Sequence, residues 1–390
     1  MTLPQVATAV QRRSSVMRGS QEPTDRTSSR SCSVRRSRLG GPLPLSCPGG
    51  SRVEPDGEVR APTLDGQRME PRCRRNGRVI QVSIDQPPDA LLQWVVDSGA
   101  ASSIVRIAPM SQSGEGGPWW LSAVVGGREA ALVLKAEQPE DAARQRFATA
   151  GAALEVAATV DVPAPRLIAL DVDAACGWHV LLTTALPGSS SIAADITSAR
   201  LRTLGSEAAR FHLVAGTPST DLPVRSRSLE GYDLNAGTTT TASTPLLERA
   251  REVLADVSLQ REEPFGFVHG DFWQGNTLWD GDRYTGAVDW DFAGFGPAGI
   301  DLGSLRADVV VLHGGEAGDE VLAGWEATAG RPAPNLAWWD LVAGVSTPED
   351  MGGWLPNFHA QGRTDLDLAV ITRRRDEFVR QALHRLTQAS

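Results

Sequence analysis

Cysteine is scarce: the 390-residue chain holds four. Three of them (Cys32, Cys47, Cys73) lie in the first 80 residues and only Cys176 lies beyond. None of their spacings is that of a zinc site or a disulfide framework, which excludes a disulfide-built scaffold and leaves the expectation of a reduced, cytoplasmic protein. No apolar run approaches the roughly 18–20 residues of a membrane-spanning helix, so no membrane partner is expected. No long internal repeat is present, which argues against a solenoid.

The composition that is present divides the chain in two. Apolar residues make up 41%, enough for one or more packed cores. Residues 1–80 carry 15 arginines and 7 acids, a net of +8, against −17 on residues 81–390. The first stretch ("RTSSRSCSVRRSRLGGPLPLSCPGG") is rich in Ser, Arg, Pro and Gly and has no apolar periodicity, so residues 1–84 are read as a disordered tail that cannot bury enough surface to offset its ordering entropy. Arg12-Arg13 resembles a twin-arginine export signal, but no apolar region follows it. A transit peptide, a start displaced upstream of Met69, or a basic arm for nucleic acid are the alternatives this tail allows; nucleic acid is not the expected partner of the body.

From Asp89 the text changes. "DALLQWVVDSG" has the spacing of a short amphipathic helix. Ser103 to Met110, Trp119 to Val125 and Glu129 to Glu137 read as three strands, the last two joined through Gly126-Gly127. An Ala-rich helix follows ("PEDAARQRFATAGAALEVAATV"), then strand character in "VPAPRLIALDV". Beyond "HVLLTTALPGSSS" helical spacing dominates (Leu201, Leu204, Ala208, Phe211), interrupted by one β island, "GFVHGD" and "NTLWDGDRYTGAVDW". Helices are expected again near 316–329 and 365–388, with the Arg373-Arg374-Arg375 run of the last on a solvated face.

The β island carries the chemistry. Asp280-Gly281-Asp282 is a hairpin turn signal, and centring the turn near Gly281-Asp282 sets Asn276 across from Ala287 with Asp289 diagonal to it. Asp271 stands just upstream. Two carboxylates and an amide oxygen converging without Cys or His suit a hard dication such as Mg²⁺, which takes oxygen ligands and brings phosphates. In phosphoryl transfer one acid orients and deprotonates an attacking hydroxyl while other oxygens hold metal on the donor phosphates. From spacing alone, a hairpin with surface Asp and Asn remains open.

"HGDFWQGN" followed by "VDWDFAGFGPAGIDLG" resembles the aminoglycoside phosphotransferase and choline kinase family, and the likeness extends over about residues 89–390. The resemblance implies a bilobal, protein-kinase-like α+β fold, with a small antiparallel-sheet N-lobe at 85–186 and a larger helical C-lobe at 187–390. It also implies a small-molecule kinase that uses Mg²⁺ and ATP or GTP to phosphorylate a hydroxyl acceptor. Asp271 then corresponds to the catalytic base, and Asn276 and Asp289 to the metal ligands. Lys135 corresponds to the basic residue that reaches the donor phosphates. Ser113, Gly114 and Gly116 of "SQSGEGG" correspond to the loop over those phosphates, and Thr183 and Thr184 of "LLTTALPG" to the linker whose backbone reads the base. His269, Asp291, Asp301 and His212 also fall on motif positions, with bracing or packing roles.

One position departs from the pattern. Ala150, in "RFATAGAALE", stands where relatives carry the glutamate that pairs with the lysine. Lys135 is therefore expected to lack an anionic partner, and Ala150→Glu to improve turnover. That vacancy and the atypical glycine loop motivate an alternative, a nucleotide-binding pseudokinase with a regulatory or scaffold role. The acceptor is not decoded: the acidic body favours a cation such as an aminoglycoside, while Trp338, Trp339 and Trp354 could line an apolar pocket for a macrolide, or pack in the core.

Overall fold

A computed structural model describes residues 72–75, 78–81, 86–114, 117–230, 243–256 and 263–388. These all fall within one compact unit, Val34–Ser390. The reading of residues 1–71 as tail lies outside the described residues. Two segments inside the stretch read as tail, β1 (Arg72–Arg75) and β2 (Arg78–Gln81), form an antiparallel hairpin.

Helix α1 (Asp89–Asp97) turns Leu91, Trp94 and Val95 inward, as its spacing predicts. Strands β3 (Ser103–Gly114), β4 (Gly117–Val125) and β5 (Arg128–Glu137) form the meander. Gly126 and Gly127, at φ +58° and +80°, make the two-residue turn between β4 and β5, where a left-handed backbone is required. Helix α2 (Asp141–Thr159) then leads to β6 (Leu167–Asp171) and β7 (His179–Thr184). The five strands run in the order β3-β4-β5-β7-β6, each pair antiparallel. This is the small lobe of the kinase-like fold.

Strand β5 shows how the sheet sorts its side chains. Leu132, Leu134 and Ala136 are buried with Trp119, Leu121, Val180 and Leu182 in a core on the α1 side. The period of two sends Val133, Lys135 and Glu137 to the other face. Lys135 pairs with Leu181 and Val133 with Thr183, so Leu181 and Thr183 share that second face. Helix α2 covers part of it with Phe147, Ala150 and Leu154, all in the larger core.

The second lobe begins with α3 (Ser198–His212), capped by Thr197 Oγ1, which accepts from Arg200 N at 3.2 Å. Helix α4 (Pro245–Leu254) is capped by Thr244. Strand β8 (Phe265–Val268) enters the catalytic-motif loop, followed by β9 (Thr277–Asp280), β10 (Arg283–Ala287) and β11 (Gly294–Pro297), with β9 paired to β10 and β8 to β11. Helix α5 (Gly299–His313) is buried along most of its length, surrounded by α6 (Gly315–Ala329), α7 (Leu336–Ser346), the short α8 (Leu355–Ala360) and α9 (Leu368–Gln388).

One expectation is corrected here. Arg374 and Arg375 do not form a solvated face: Arg374 Nη1 donates to the Val311 and Leu312 carbonyls at 2.9 and 2.8 Å, satisfying the C-terminal end of α5, and buried Arg375 donates to Thr347 Oγ1 and the Pro348 carbonyl. The three tryptophans also separate. Trp338 and Trp339 are core residues, with Trp339 Nε1 donating to Glu263, whereas Trp354 lines the interlobe cleft.

Candidate active site

The loop between β8 and β9 holds its shape through Asp301. This fully buried carboxylate accepts from the backbone N–H of His269 at 2.7 Å and of Gly270 at 2.8 Å, and from His212 Nε2 at 3.1 Å. His212 Nδ1 accepts in turn from Trp325 Nε1 at 2.9 Å, which fixes its tautomer. Asp301 and His212 thus anchor the loop rather than merely pack beneath it. Gly270, at φ +80°, passes so close to the Phe292 carbonyl that a Cβ would collide with it.

His269 joins this loop to the second motif. Its Nδ1 accepts from Asp271 N at 3.3 Å and its Nε2 donates to the Val288 carbonyl at 3.0 Å. Burial holds its pKa below the ordinary histidine value, so it is a neutral brace and not a proton carrier. The hairpin register differs from the expected one. A bulge at Thr285 shifts the pairing by one residue, so Ala287 faces Thr277, and Val288 N donates to the Asn276 carbonyl at 2.9 Å.

Asp289 follows, at φ +66°, a conformation that costs energy for a residue with a Cβ and that turns its carboxylate out of line with the strand. Asn276 Nδ2 donates to the Asp271 carbonyl and to Asp271 Oδ2, both at 3.0 Å, which leaves its Oδ1 directed elsewhere. Asp271 is pushed well above the ordinary carboxylate range by burial and then by the charge of Asp289, against the opposing bond from Asn276. Asp271, Asp289 and Asp291 all line one cleft of about 660 Å³ between the lobes.

Lys135 of β5 reaches two of these acids. Its Nζ lies 2.9 Å from Asp289 Oδ1 and 2.6 Å from Asp291 Oδ2. The two carboxylates raise its pKa above the ordinary lysine value despite opposing burial, the largest single influence. Asp289 is held below the usual range by the Lys135 charge, while burial pushes the shielded Asp291 up to about 6. The expectation that Lys135 lacks an anionic partner is corrected: no acid of α2 reaches it, but two acids of the second motif do. From α2 it meets the Phe147 ring, 6.0 Å to the centroid.

Sequence reasoning missed three cleft residues: Glu137, Arg146, which is paired with it across the cleft edge, and Asp308 on α5. For Glu137 the signal was its period-two relation to Lys135. Lys135 itself carried a stronger one. Of 38 basic residues it is the only lysine, all others being arginine.

Ser113 and Gly114 end β3, and Gly116 lies outside the described residues. Thr183 is buried on the Lys135 face of the sheet. Thr184 exchanges bonds with Arg166, its Oγ1 accepting and its N–H donating at 2.9 Å each. The chain leaves the sheet after Ala185, whose N–H donates to the Ala131 carbonyl at 2.9 Å.

Among the described residues no three His, Cys, Asp or Glu side chains are grouped as a metal site. Asn276 Oδ1 and the Asp289 carboxylate are nonetheless a hard-oxygen pair of the kind a Mg²⁺ ion shares with phosphates and water, so these residues fit such an ion.

The sequence profile of the phosphotransferase enzyme family (APH) matches residues 120–339. No curated protein matches the chain significantly. Among solved structures, macrolide 2'-phosphotransferase MphH from Brachybacterium faecium, as apoenzyme, superposes with a TM-score of 0.51 at 19% identity, over 75% of this chain and 98% of that chain. Amicoumacin kinase hAmiN, in complex with AMP-PNP, Ca²⁺ and Ami, gives 0.52 at 13% identity over 74% and 93%. A thermostable mutant of aminoglycoside phosphotransferase APH(4)-Ia, in ternary complex with AMP-PNP and hygromycin B, gives 0.50 at 15% over 75% and 98%. At these identities the likeness is one of fold: two lobes with the cleft between them.

Proposed function

The chain belongs to the phosphotransferase enzyme family, and on that premise we propose that it transfers the γ-phosphoryl group of ATP to a hydroxyl of a small molecule in the interlobe cleft. The observation that carries this reading is that Asp271, Asp289 and Asp291 line one cleft and that Lys135 pairs with the last two, four side chains from three separate sequence motifs.

In this reading Asp271 accepts the acceptor hydroxyl proton as the oxygen–phosphorus bond forms and the bond to the β-phosphate oxygen breaks, releasing ADP. Burial and the Asp289 charge raise its pKa, which strengthens the carboxylate as a proton acceptor. Asn276 Nδ2 aims the carboxylate. Lys135 exchanges part of its bonding from Asp289 to the donor phosphates. Asn276 and Asp289 would hold Mg²⁺, which supplies charge neutralisation at the phosphates. The glycine-loop positions Ser113, Gly114 and Gly116, and the β7 end at Thr183 and Thr184, would bound the nucleotide; 85–186 and 187–390 are the two lobes. No helix among the described residues is long and apolar enough to cross a membrane, and a cytoplasmic setting is proposed.

The test is to incubate the full-length protein with Mg²⁺ and labelled ATP or GTP against aminoglycosides, macrolides and metabolite alcohols, detecting phosphate adducts by mass. An adduct that needs ATP supports the reading. Nucleotide binding without turnover on any acceptor would favour the pseudokinase alternative, which the lack of an α2 acid at Lys135 keeps specific.

A further inference from the structure

Helix α5 holds the catalytic loop at two points. Near its start, Asp301 accepts from His269 N and Gly270 N, on the approach to Asp271. Asp308 stands seven residues further along the helix, two turns and about 10 Å away on nearly the same face. Its Oδ2 accepts from Gln274 N at 3.2 Å and from Gln274 Nε2 at 3.3 Å, just beyond Asp271. Asp271 therefore lies on a segment gripped on both sides by one helix.

Gln274 begins a single 3₁₀ turn, Gln274–Asn276, which ends on Asn276. The first N–H of such a turn has no partner within it, and the preceding residue, Trp273, has no side-chain oxygen to offer. Asp308 supplies that oxygen from another element. Gln274 has no polar group left over: its carbonyl accepts from Thr277 Oγ1 at 2.8 Å, and its Oε1 lies 3.3 Å from Nε2 of His313, the last residue of α5. Two residues on, Asn276 Nδ2 donates to Asp271 Oδ2. A shift of the turn would therefore move both the partner of the Asp271 carboxylate and the amide oxygen proposed for Mg²⁺.

Resting on the phosphotransferase reading of the cleft, we infer that Asp308 is a positioning residue for the transfer: through Gln274 it sets the turn that carries Asn276, and so fixes that amide relative to the base Asp271. Both bonds from Gln274 end on the same Asp308 oxygen, so the site asks for an oxygen and not for a charge. An amide oxygen serves it as a carboxylate does; a hydrocarbon of similar size does not.

The test compares the full-length parent with Asp308→Asn, Asp308→Leu, Gln274→Met and the double variant Asp308→Leu/Gln274→Met. Backbone hydrogen exchange over residues 269–277 is followed by mass spectrometry, and AMP-PNP affinity by calorimetry with and without Mg²⁺. In Asp308→Leu, exchange in the loop is expected to speed up about tenfold or more. The gain in AMP-PNP affinity that Mg²⁺ brings to the parent is expected to shrink by about ten- to a hundredfold, the usual cost of losing a residue that orients a metal ligand, with metal-free affinity within about threefold. Asp308→Asn is expected to stay within about threefold of the parent in both measurements. Gln274→Met keeps the backbone bond and loses the side-chain one, so its effects should fall between, and the double variant should lose less than the product of the two single effects. On an acceptor that the parent labels, turnover should fall about ten- to a hundredfold in Asp308→Leu and recover in Asp308→Asn.

Parental exchange and Mg²⁺ gain in Asp308→Leu, an asparagine variant as impaired as the leucine one, or effects that multiply in the double variant would each overturn the inference. Parental values in Gln274→Met overturn it as well, whether or not Asp308→Leu folds. A parent that binds no AMP-PNP loses the phosphotransferase reading, while exchange over 269–277 still decides whether Asp308 sets the turn. A parent that binds AMP-PNP and shows none of these effects keeps that reading and loses the inference.

Discussion

Lys135 Nζ stands 2.9 Å from Asp289 Oδ1, joining the third strand of the small lobe to the proposed metal-ligand position of the large one. With Asp291 as second partner, the ammonium occupies the place where a dication and phosphates would gather in the proposed reaction. Nucleotide binding is then an exchange of cations about Asp289 rather than the filling of an empty site.

The single lysine makes this exchange measurable. An amine-acylating reagent can modify only Lys135 and the chain's α-amino group. Because the two carboxylates hold the ammonium protonated, acylation at pH 8 is expected to be slow, and faster by tenfold or more in Asp289→Asn, where one of them is lost. The same variant should weaken Mg²⁺-dependent ATP binding, since it removes a full charge from the proposed metal site. Peptide mass spectrometry of labelling rates, alongside a Mg²⁺ titration of ATP binding, checks both; rates equal in parent and variant would contradict the pairing.

Ala150→Glu separates the structural account from the sequence-based one. A free Lys135 would gain from the acid. But Lys135 already has two partners, and Ala150 is 1% exposed in the core with Phe147 and Leu154. The expected outcome is a loss of about 1–3 kcal/mol in stability with no gain in ATP affinity, because a carboxylate must be desolvated there without adding a needed charge. Chemical denaturation and calorimetry decide it, and a threefold or greater gain in affinity would restore the sequence-based expectation.

Asp301→Asn should disable the catalytic loop without touching the reactants. The amide turns its donor either toward Gly270 N or toward His269 N and His212 Nε2, which themselves donate, so about 2–3 kcal/mol of stability is expected to be lost. Turnover should fall more than nucleotide affinity. A variant with parental melting temperature and turnover would show that the three bonds do not set the loop.

What the sequence made legible follows the range of the interactions. The meander strands, the Gly126-Gly127 turn and the α1 and α9 segments declare themselves through local periodicity and turn chemistry, and Asp271, Asn276 and Asp289 through a motif that keeps them within one loop and one hairpin. The bulge at Thr285 was hidden because its cause is tertiary: Thr285 Oγ1 donates to the Leu278 and Pro187 carbonyls. The partners of Lys135 lie more than 150 residues away along the chain, and no local pattern encodes that meeting. Arg374 and Arg375 read as solvated for the same reason, since the carbonyls they satisfy belong to α5 and to the segment after α7. Asp308 reads in sequence as one more polar residue on a buried helix.

The central claim is that Asp271 takes the acceptor's proton in an ATP-dependent transfer, and it is tested most directly by comparing the parent with Asp271→Ala. Both are given Mg²⁺, γ-labelled ATP and the acceptor panel, and label in the acceptor is followed beside AMP-PNP affinity. Label is expected in an acceptor with the parent, with a fall of about 10²–10⁴-fold in the variant and AMP-PNP affinity changed by less than about threefold, because Asp271 is proposed to address the hydroxyl and not the donor. A variant that transfers label within about tenfold of the parent rate, a difference of only about 1.4 kcal/mol in barrier, would contradict it.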